Sequence, residues 1–359
     1  MNSDAFFRFI SPSHLYFGAT IFGIITVIIV LMIYLFLYVK KSRFRIKALV
    51  GAQLNEWISD ALTEDELPRI AIPNDISHYL KKPFMRQFLM DNLINIRKNV
   101  TGDVATSLVV LYKMLGLKDD SVRKLKSLVW HKRARGIYEL YMMQQKEELQ
   151  DILEYTNSNN EFVRMEAQTA IIGFSGFNGL VFLDQLTYPL YEWQQIKLLE
   201  QLNAVNTGDM PHLPLWLSSA NSYVVHFALK LTEIYQQFQV HDDVVPCLES
   251  KNDKIRNQAI KTLGSIASEN TIEIFKQHYD KETVLNKKAI LEQFVVNGTG
   301  AELEFLYDKL DEEDDGLKLE AIRAIASIDN NAFSELEHTS AGDDILISII
   351  KQVKYENAV

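Results

Sequence analysis

The chain has 359 residues, 47% of them hydrophobic, with only 8 prolines and 15 glycines, which excludes a turn-rich all-β fold and favours long helices. A single cysteine, Cys247, excludes an intramolecular disulfide and every multi-cysteine zinc or iron–sulfur scheme. The net charge of −10 hides an asymmetry, since residues 1–140 hold 20 Lys+Arg against 12 Asp+Glu while residues 141–359 hold 17 against 35, so the later chain is no cradle for nucleic acid.

Residues 1–13 form a short lead with Asp4 and Arg8 as its charged side chains. A transmembrane helix is expected over residues 14–39, because Leu15 to Val39 runs 25 residues without a charge. As a helix that run is about 37 Å long, enough to cross a hydrocarbon core of roughly 30 Å. Tyr16 and Phe17 at one end, with Tyr34 and Tyr38 at the other, suit the two interfaces. A cleaved signal peptide would need a basic lead and a small-residue cleavage site, and neither is present.

Lys40, Lys41, Arg43, Arg45 and Lys47 come directly after the span, five positive charges in eight residues. The positive-inside rule then places the N-terminus outside the cell membrane and the large remainder in the cytoplasm, as a single-pass protein. The same run can bind anionic membrane lipid. Ile46, Val50, Leu54, Trp57, Ile58 and Ala61 keep a helical spacing, which fits a stalk continuing the span or a helix lying in the interface. Pro68 and Pro73 interrupt any helix beyond Leu62, so 40–83 is expected to be a juxtamembrane segment ending in a linker from about 63.

Residues 84–359 are expected to form one domain of helical repeats. Phe84–Asn99, Val104–Leu117 and Ser121–Trp130 open it. Arg123, Lys124, Lys126, Lys132, Arg133 and Arg135 make a basic patch, expected to face an anionic membrane or an acidic partner rather than nucleic acid. From Leu149 onward helix pairs succeed one another, with second helices at Val163–Phe174, Glu192–Leu202, Val224–Phe238, Ile255–Ala267, Val284–Val295 and Leu317–Ile328, and a closing helix near Ile345–Tyr355.

The clearest repeat is Asn252 to Gly264, with Asn252 as cap and Ile255, Ala259 and Leu263 four apart on one face. Asn160 with Val163, Arg164 and Ala167 keeps the same order, as do Asn221 with Val224 and Ala228, and Asp314 with Leu317, Lys318 and Ala321. Small or apolar anchors fall at Gly136, Ala167, Ile196, Ala228, Ala259, Ala289 and Ala321, at spacings of 29 to 32 residues. That even period marks a solenoid, in which each pair buries its apolar face on the next. Arg164 and Arg256 are expected to be structural, as ion-pair or capping residues. Trp193 and Asn286 stand in the Arg place of the two repeats anchored at Ile196 and Ala289. Trp193, Trp216 and Tyr223 are expected in the core.

This pattern resembles the HEAT repeat in its short bacterial form of roughly 30 residues. The resemblance covers Phe84 to the C-terminus, is strongest from Asn160 to Ile325, and implies an all-α, right-handed superhelix of helix pairs behind one transmembrane helix. Span and short repeats together are similar to membrane-anchored HEAT-repeat proteins of bacteria, some of which accompany envelope enzymes such as glycosyltransferases.

The sequence contains no Gly-rich phosphate loop, no His-Glu-x-x-His and no Gly-x-Ser-x-Gly. The run Asp311 to Gly316 has part of a calcium loop, but the twelfth position is Ile322 where a bidentate Glu is needed. No cofactor, no metal and no catalytic residue is expected. The expected function is a cytoplasmic scaffold or adaptor for partner proteins at the membrane, not an enzyme. A regulatory subunit that works by solenoid flexing, or a HEAT-like lyase, are the alternatives.

Overall fold

The computed structural model describes residues 12–63, 74–203, 210–340 and 343–358, and among them there is no β-strand. Residues 1–11 of the expected lead and 64–73 of the expected linker lie outside the described residues. The chain divides into two compact units, one of residues 1–126 with 142–145, the other of residues 127–141 with 146–359.

In the first unit, α1 (Pro12–Thr63) is one continuous helix of 52 residues. Its stretch from Leu15 to Val39 is exposed along its length and is long and apolar enough to cross a membrane. Beyond the basic run the helix changes character: Val50, Leu54, Trp57 and Ile58 are buried, at the i, i+4, i+7, i+8 spacing of a packed helical face. They belong to the part of α1 that packs with α3 (Pro83–Arg97) and α4 (Gly102–Met114). This packing groups residues 84–126 with the N-terminal helix, whereas the sequence pattern joins them to the repeats. The expected linker also holds a helix, α2 (Asn74–Leu80), whose Leu80 is buried. Gly116 takes φ of 62°, a left-handed turn that ends α4 and starts α5 (Leu117–Leu125), and Arg86 donates to its carbonyl at 2.7 Å. The helix expected over 121–130 stops at Leu125. Val129 then donates to Ser127 Oγ at 3.2 Å as the chain turns into α6 (Trp130–Met142).

The second unit is an α-solenoid. Its second helices are α8 (Glu161–Ser175), α9 (Glu192–Asn203), α11 (Ser222–Ile234), α13 (Asp253–Ser265), α15 (Val284–Asn297) and α17 (Asp315–Ile328), and α19 (Asp344–Ala358) packs on the last of them. The first elements are short: α7 (Leu149–Leu153), a 3-10 stretch (Gly176–Gln185), α10 (Leu213–Leu217), α12 (His241–Val244) running into 3-10 turns (Val245–Glu249), α14 (Thr271–Tyr279) and α16 (Leu303–Asp308). One buried apolar cluster extends from Ile172 to Val353. A further helix, α18 (Asn330–Thr339), has no counterpart in the sequence pattern; Asp329 caps it by accepting from Asn331 N at 2.7 Å.

Caps set the register. Asn160 accepts from Val163 N at 3.2 Å, Asn221 from Tyr223 N at 3.0 Å, Asn252 from Lys254 N at 3.1 Å and Asp314 from Leu317 N at 3.1 Å. Two residues earlier, Ser158, Ser219 and Ser250 each accept from the Asn backbone N–H, which tightens the turn. Seven residues past these caps, Ala167, Ala228, Ala259 and Ala321 are wholly buried, so neighbouring helices come close. Ala289 of α15 is nearly as well buried.

Ile196 is the exception. It is 54% exposed, and Leu198, at 2%, takes the anchor place. Counted through Leu198, the spacings from Ala167 to Ala259 become 31, 30 and 31 residues. With no Asn to fix the start of this helix, the apolar pattern alone places it two residues out of register. The helix expected to reach Phe238 ends at Ile234, because Gln236 takes φ of 46° and Gln237 N donates back to Thr232 O at 3.0 Å.

Between repeats, polar side chains of one second helix reach the carbonyls of the preceding one. Thr262 Oγ1 donates to Leu229 O at 3.1 Å, Asn297 Nδ2 to Gly264 O at 3.0 Å and Ser327 Oγ to Val295 O at 2.8 Å.

Candidate functional site

Two sequence features take structural places. The acidic run 311–316 is a turn in which Asp314 caps α17 and Glu312 pairs with Lys287 at 3.0 Å. Cys247 is buried, its Sγ lies 3.7 Å from Leu217 O, and burial raises its thiol pKa to about 11, which keeps it protonated and inert. Among the described residues, no group of three His, Cys, Asp or Glu is placed to hold a metal ion.

The arginines brace turns. Arg164 Nη1 donates to Ser158 O at 2.6 Å, and its guanidinium lies 4.7 Å from the centre of the Tyr188 ring. Arg256 Nη1 donates to Ser250 O at 2.9 Å, six residues back as in Arg164. Its Nε also meets both carboxylate oxygens of Glu282, at 2.9 and 3.0 Å, and its Nη2 meets Asp253 at 2.9 Å. These partners hold the Arg256 pKa above its ordinary value, the hydrogen bond to Glu282 first among them.

In the repeat of α9 the equivalent place, four past the helix-preceding residue, belongs to Gln195, not Trp193. Gln195 is buried and donates to Leu190 O at 2.9 Å. In the repeat of α15 the place belongs to Lys287, and Asn286 lies beside it, wholly buried, donating to Asp253 at 3.0 Å and Glu282 at 2.7 Å.

The basic residues separate by unit. Lys40, Lys41, Arg43 and Arg45 are exposed and Lys47 is half-buried. Arg43 stands 5.5 Å over the Phe84 ring and Lys47 5.0 Å over Phe88. Arg123, Lys124 and Lys126 belong to the first unit, Lys132, Arg133 and Arg135 to the second. Arg123 pairs with Asp120, Lys124 donates to Gln87 at 2.6 Å, Arg135 pairs with Glu139 at 3.0 Å and Arg133 stacks 4.6 Å over Tyr155. Among the six expected patch residues, these four are engaged within their own unit.

What the second unit presents instead is a row of rings. The second residue past the cap points out of each second helix, and there stand Phe162, Trp193 and Tyr223, at 54, 49 and 38% exposure. Trp130 stacks on Phe162 at 5.3 Å, and Tyr191 meets Tyr223 edge-on at 5.8 Å. Ile196 adds its exposed side chain one turn along from Trp193. Beside the row, a cleft of about 440 Å³ is lined by Tyr191, Gln195, Tyr223, His226, Asn252 and Lys254. Burial first, then Lys230, lowers the His226 pKa to about 4, so the imidazole is neutral at pH 7 and lies 3.4 Å from Gln195 Oε1.

Of the three aromatics expected in the core, only Trp216 is there, 3% exposed, its indole N–H donating to Asp184 at 2.6 Å. Counting two from each Asn finds Phe162 and Tyr223 in the sequence; Trp193 escapes the count because its helix lacks the Asn. Exposed rings beside a cleft lined by hydrogen-bonding groups, among them Gln195, Asn252, Glu192 and Lys254, suit recognition of a polypeptide, where a few aromatic anchors supply much of the energy.

No family model matches the chain, and no curated protein does. Solved structures give likenesses of low identity and score. An engineered protein from the Northeast Structural Genomics Consortium is 12% identical with a TM-score of 0.36, over 84% of this chain and 87% of that one. Kap95p, from a complex with RanGDP, is 12% identical at 0.40, over 88% of this chain and 47% of that one. The CpcE–CpcF phycocyanin lyase complex of Nostoc sp. PCC7120 is 11% identical at 0.26, over 82% and 97%.

Proposed function

We propose that this chain is a membrane-tethered docking platform, with α1 crossing the cell membrane and the solenoid on its cytoplasmic face holding a partner protein along the aromatic row. The carrying observation is that Phe162, Trp193 and Tyr223 repeat at one outward position of successive helices, where a solenoid meets solvent. The partner is a protein segment with apolar side chains and net positive charge, because residues 141–359 hold 35 Asp+Glu against 17 Lys+Arg. An enzyme of the same membrane is the client this arrangement suits, as the span brings both into one plane. In this reading the chain works by binding and not by turnover.

The test places a photocrosslinking residue at 162, 193 or 223 in the full chain in native membranes, with position 277 on the exposed side of α14 as control. One partner captured from the first three and not from 277 is expected, lost in Trp193→Ala/Tyr223→Ala while the melting temperature holds. Equal capture from 277, or no loss in the double variant, would sink the assignment.

A further inference from the structure

We infer that Lys81 and Lys82 form a second contact with anionic lipid headgroups, completing with Lys40, Lys41 and Arg45 a basic collar around the foot of the span; this rests on the membrane reading of α1 proposed above. The charge-free run of α1 ends at Val39, which sets residues 40–45 at headgroup depth. Arg43 lies about 6 Å beyond Val39 along the helix.

The start of α3 is packed against this same turn of α1. The Arg43 guanidinium stands 5.5 Å over the Phe84 ring, and one turn on, the Lys47 ammonium stands 5.0 Å over Phe88. At Gly51 a side chain larger than hydrogen would meet the Phe88 ring at 3.4 Å, so the helices lie close there. Phe84 comes directly after Lys81-Lys82-Pro83. Packing therefore brings two lysines, some forty positions away in sequence, to the height of the juxtamembrane run. Lys81 is exposed, and Lys82 lies 5.4 Å over the Tyr79 ring, which leaves its charge in place.

Charge leaves the collar unopposed along the chain: residues 40–55 and 76–90 contain no Asp or Glu. Topology alone would need only the run at 40–47. Arg43 and Lys47 stand over rings of α3, while Lys40, Lys41, Arg45 and Lys81 are exposed and Lys82 is half-buried over Tyr79 with its charge retained. A span by itself leaves the first unit free to tilt against the bilayer surface. Charges on two elements, both drawn to the headgroups, restrict that tilt.

The experiment uses the full chain in vesicles of phosphatidylcholine and phosphatidylglycerol. A fluorophore is placed at 83 or, as control, at Asn99 past the far end of α3, in a Cys247→Ala background. Trace phosphatidylglycerol or phosphatidylcholine, each with the same nitroxide near the glycerol, quenches it. Stronger quenching by phosphatidylglycerol is expected at 83 and not at 99, with Lys81→Gln/Lys82→Gln reducing the preference by on the order of five-fold per lysine. A preference equal at 83 and 99, or unchanged in the double variant, overturns the collar. Alkaline carbonate extraction separates the two failures: protein that stays in the vesicles keeps the span and loses only the collar, and protein that is released loses both.

Discussion

The repeat of α13 and the repeat of α9 do the same packing job with different means. In α13 an Asn caps the helix, an Arg ties the turn to Ser250 O, and Glu282, Asp253, Asn257 and Asn286 close a polar network around it. In α9 no Asn precedes the helix, a neutral Gln ties to Leu190 O and meets His226, and rings stand outward at Tyr191 and Trp193. Both repeats line the cleft, Tyr191 and Gln195 from one and Asn252 and Lys254 from the other. The ring row runs through helices that keep the Asn cap, at Phe162 and Tyr223, as well as through the one that lacks it.

The contrast can be broken most sharply at the tie itself. Arg256→Met leaves Glu282, whose side chain is 3% exposed, without its charge partner, so a loss of about 3 kcal/mol is expected in urea unfolding. Gln195→Met removes the neutral hydrogen bond to Leu190 O and the longer one to His226, and should cost about 1–2 kcal/mol in the same assay. Equal costs would show that the two turns are braced alike.

Acid probes the cleft side of the comparison. His226, flanked by Lys230, Lys254, Glu192 and Gln195, has a folded-state pKa of about 4 against an ordinary 6.5. Between those values the unfolded chain holds a proton that the folded one lacks. The stability that goes with a neutral His226 is thus complete above pH 6.5 and is lost as pH falls through 4. Melting temperatures across that window should fall less steeply in His226→Gln than in the wild type; parallel curves would place the acid sensitivity elsewhere. The smallest effect is at the cap: Asn252→Ala should cost about 1 kcal/mol, and a neutral result would mean that Ser250 and Arg256 hold the turn without it.

Much of the fold is legible because Asn160, Asn221, Asn252 and Asp314 announce their helices and Ala stands seven residues later. Pattern and structure part where that signal is missing. Ile196 matches the anchor spacing yet faces solvent, and Gln236 adopts a backbone conformation that glycine usually signals. The first elements are readable as apolar stretches but not as 3-10 turns, since Gly176–Gln185 and Val245–Glu249 are too short for periodicity to decide. The candidate site is hidden for a different reason. An aromatic residue reads as core until its helix position is known, and only the register turns Trp193 and Tyr223 outward.

The ties between second helices have a direction. Thr262 reaches back to Leu229, Asn297 to Gly264 and Ser327 to Val295, so in each the side chain belongs to the later repeat and the carbonyl to the earlier one. A repeat leaving the ribosome meets a finished acceptor surface on the part already made. The array can be built vectorially, each newly emerged pair templated by the last, with no need to wait for the end of translation.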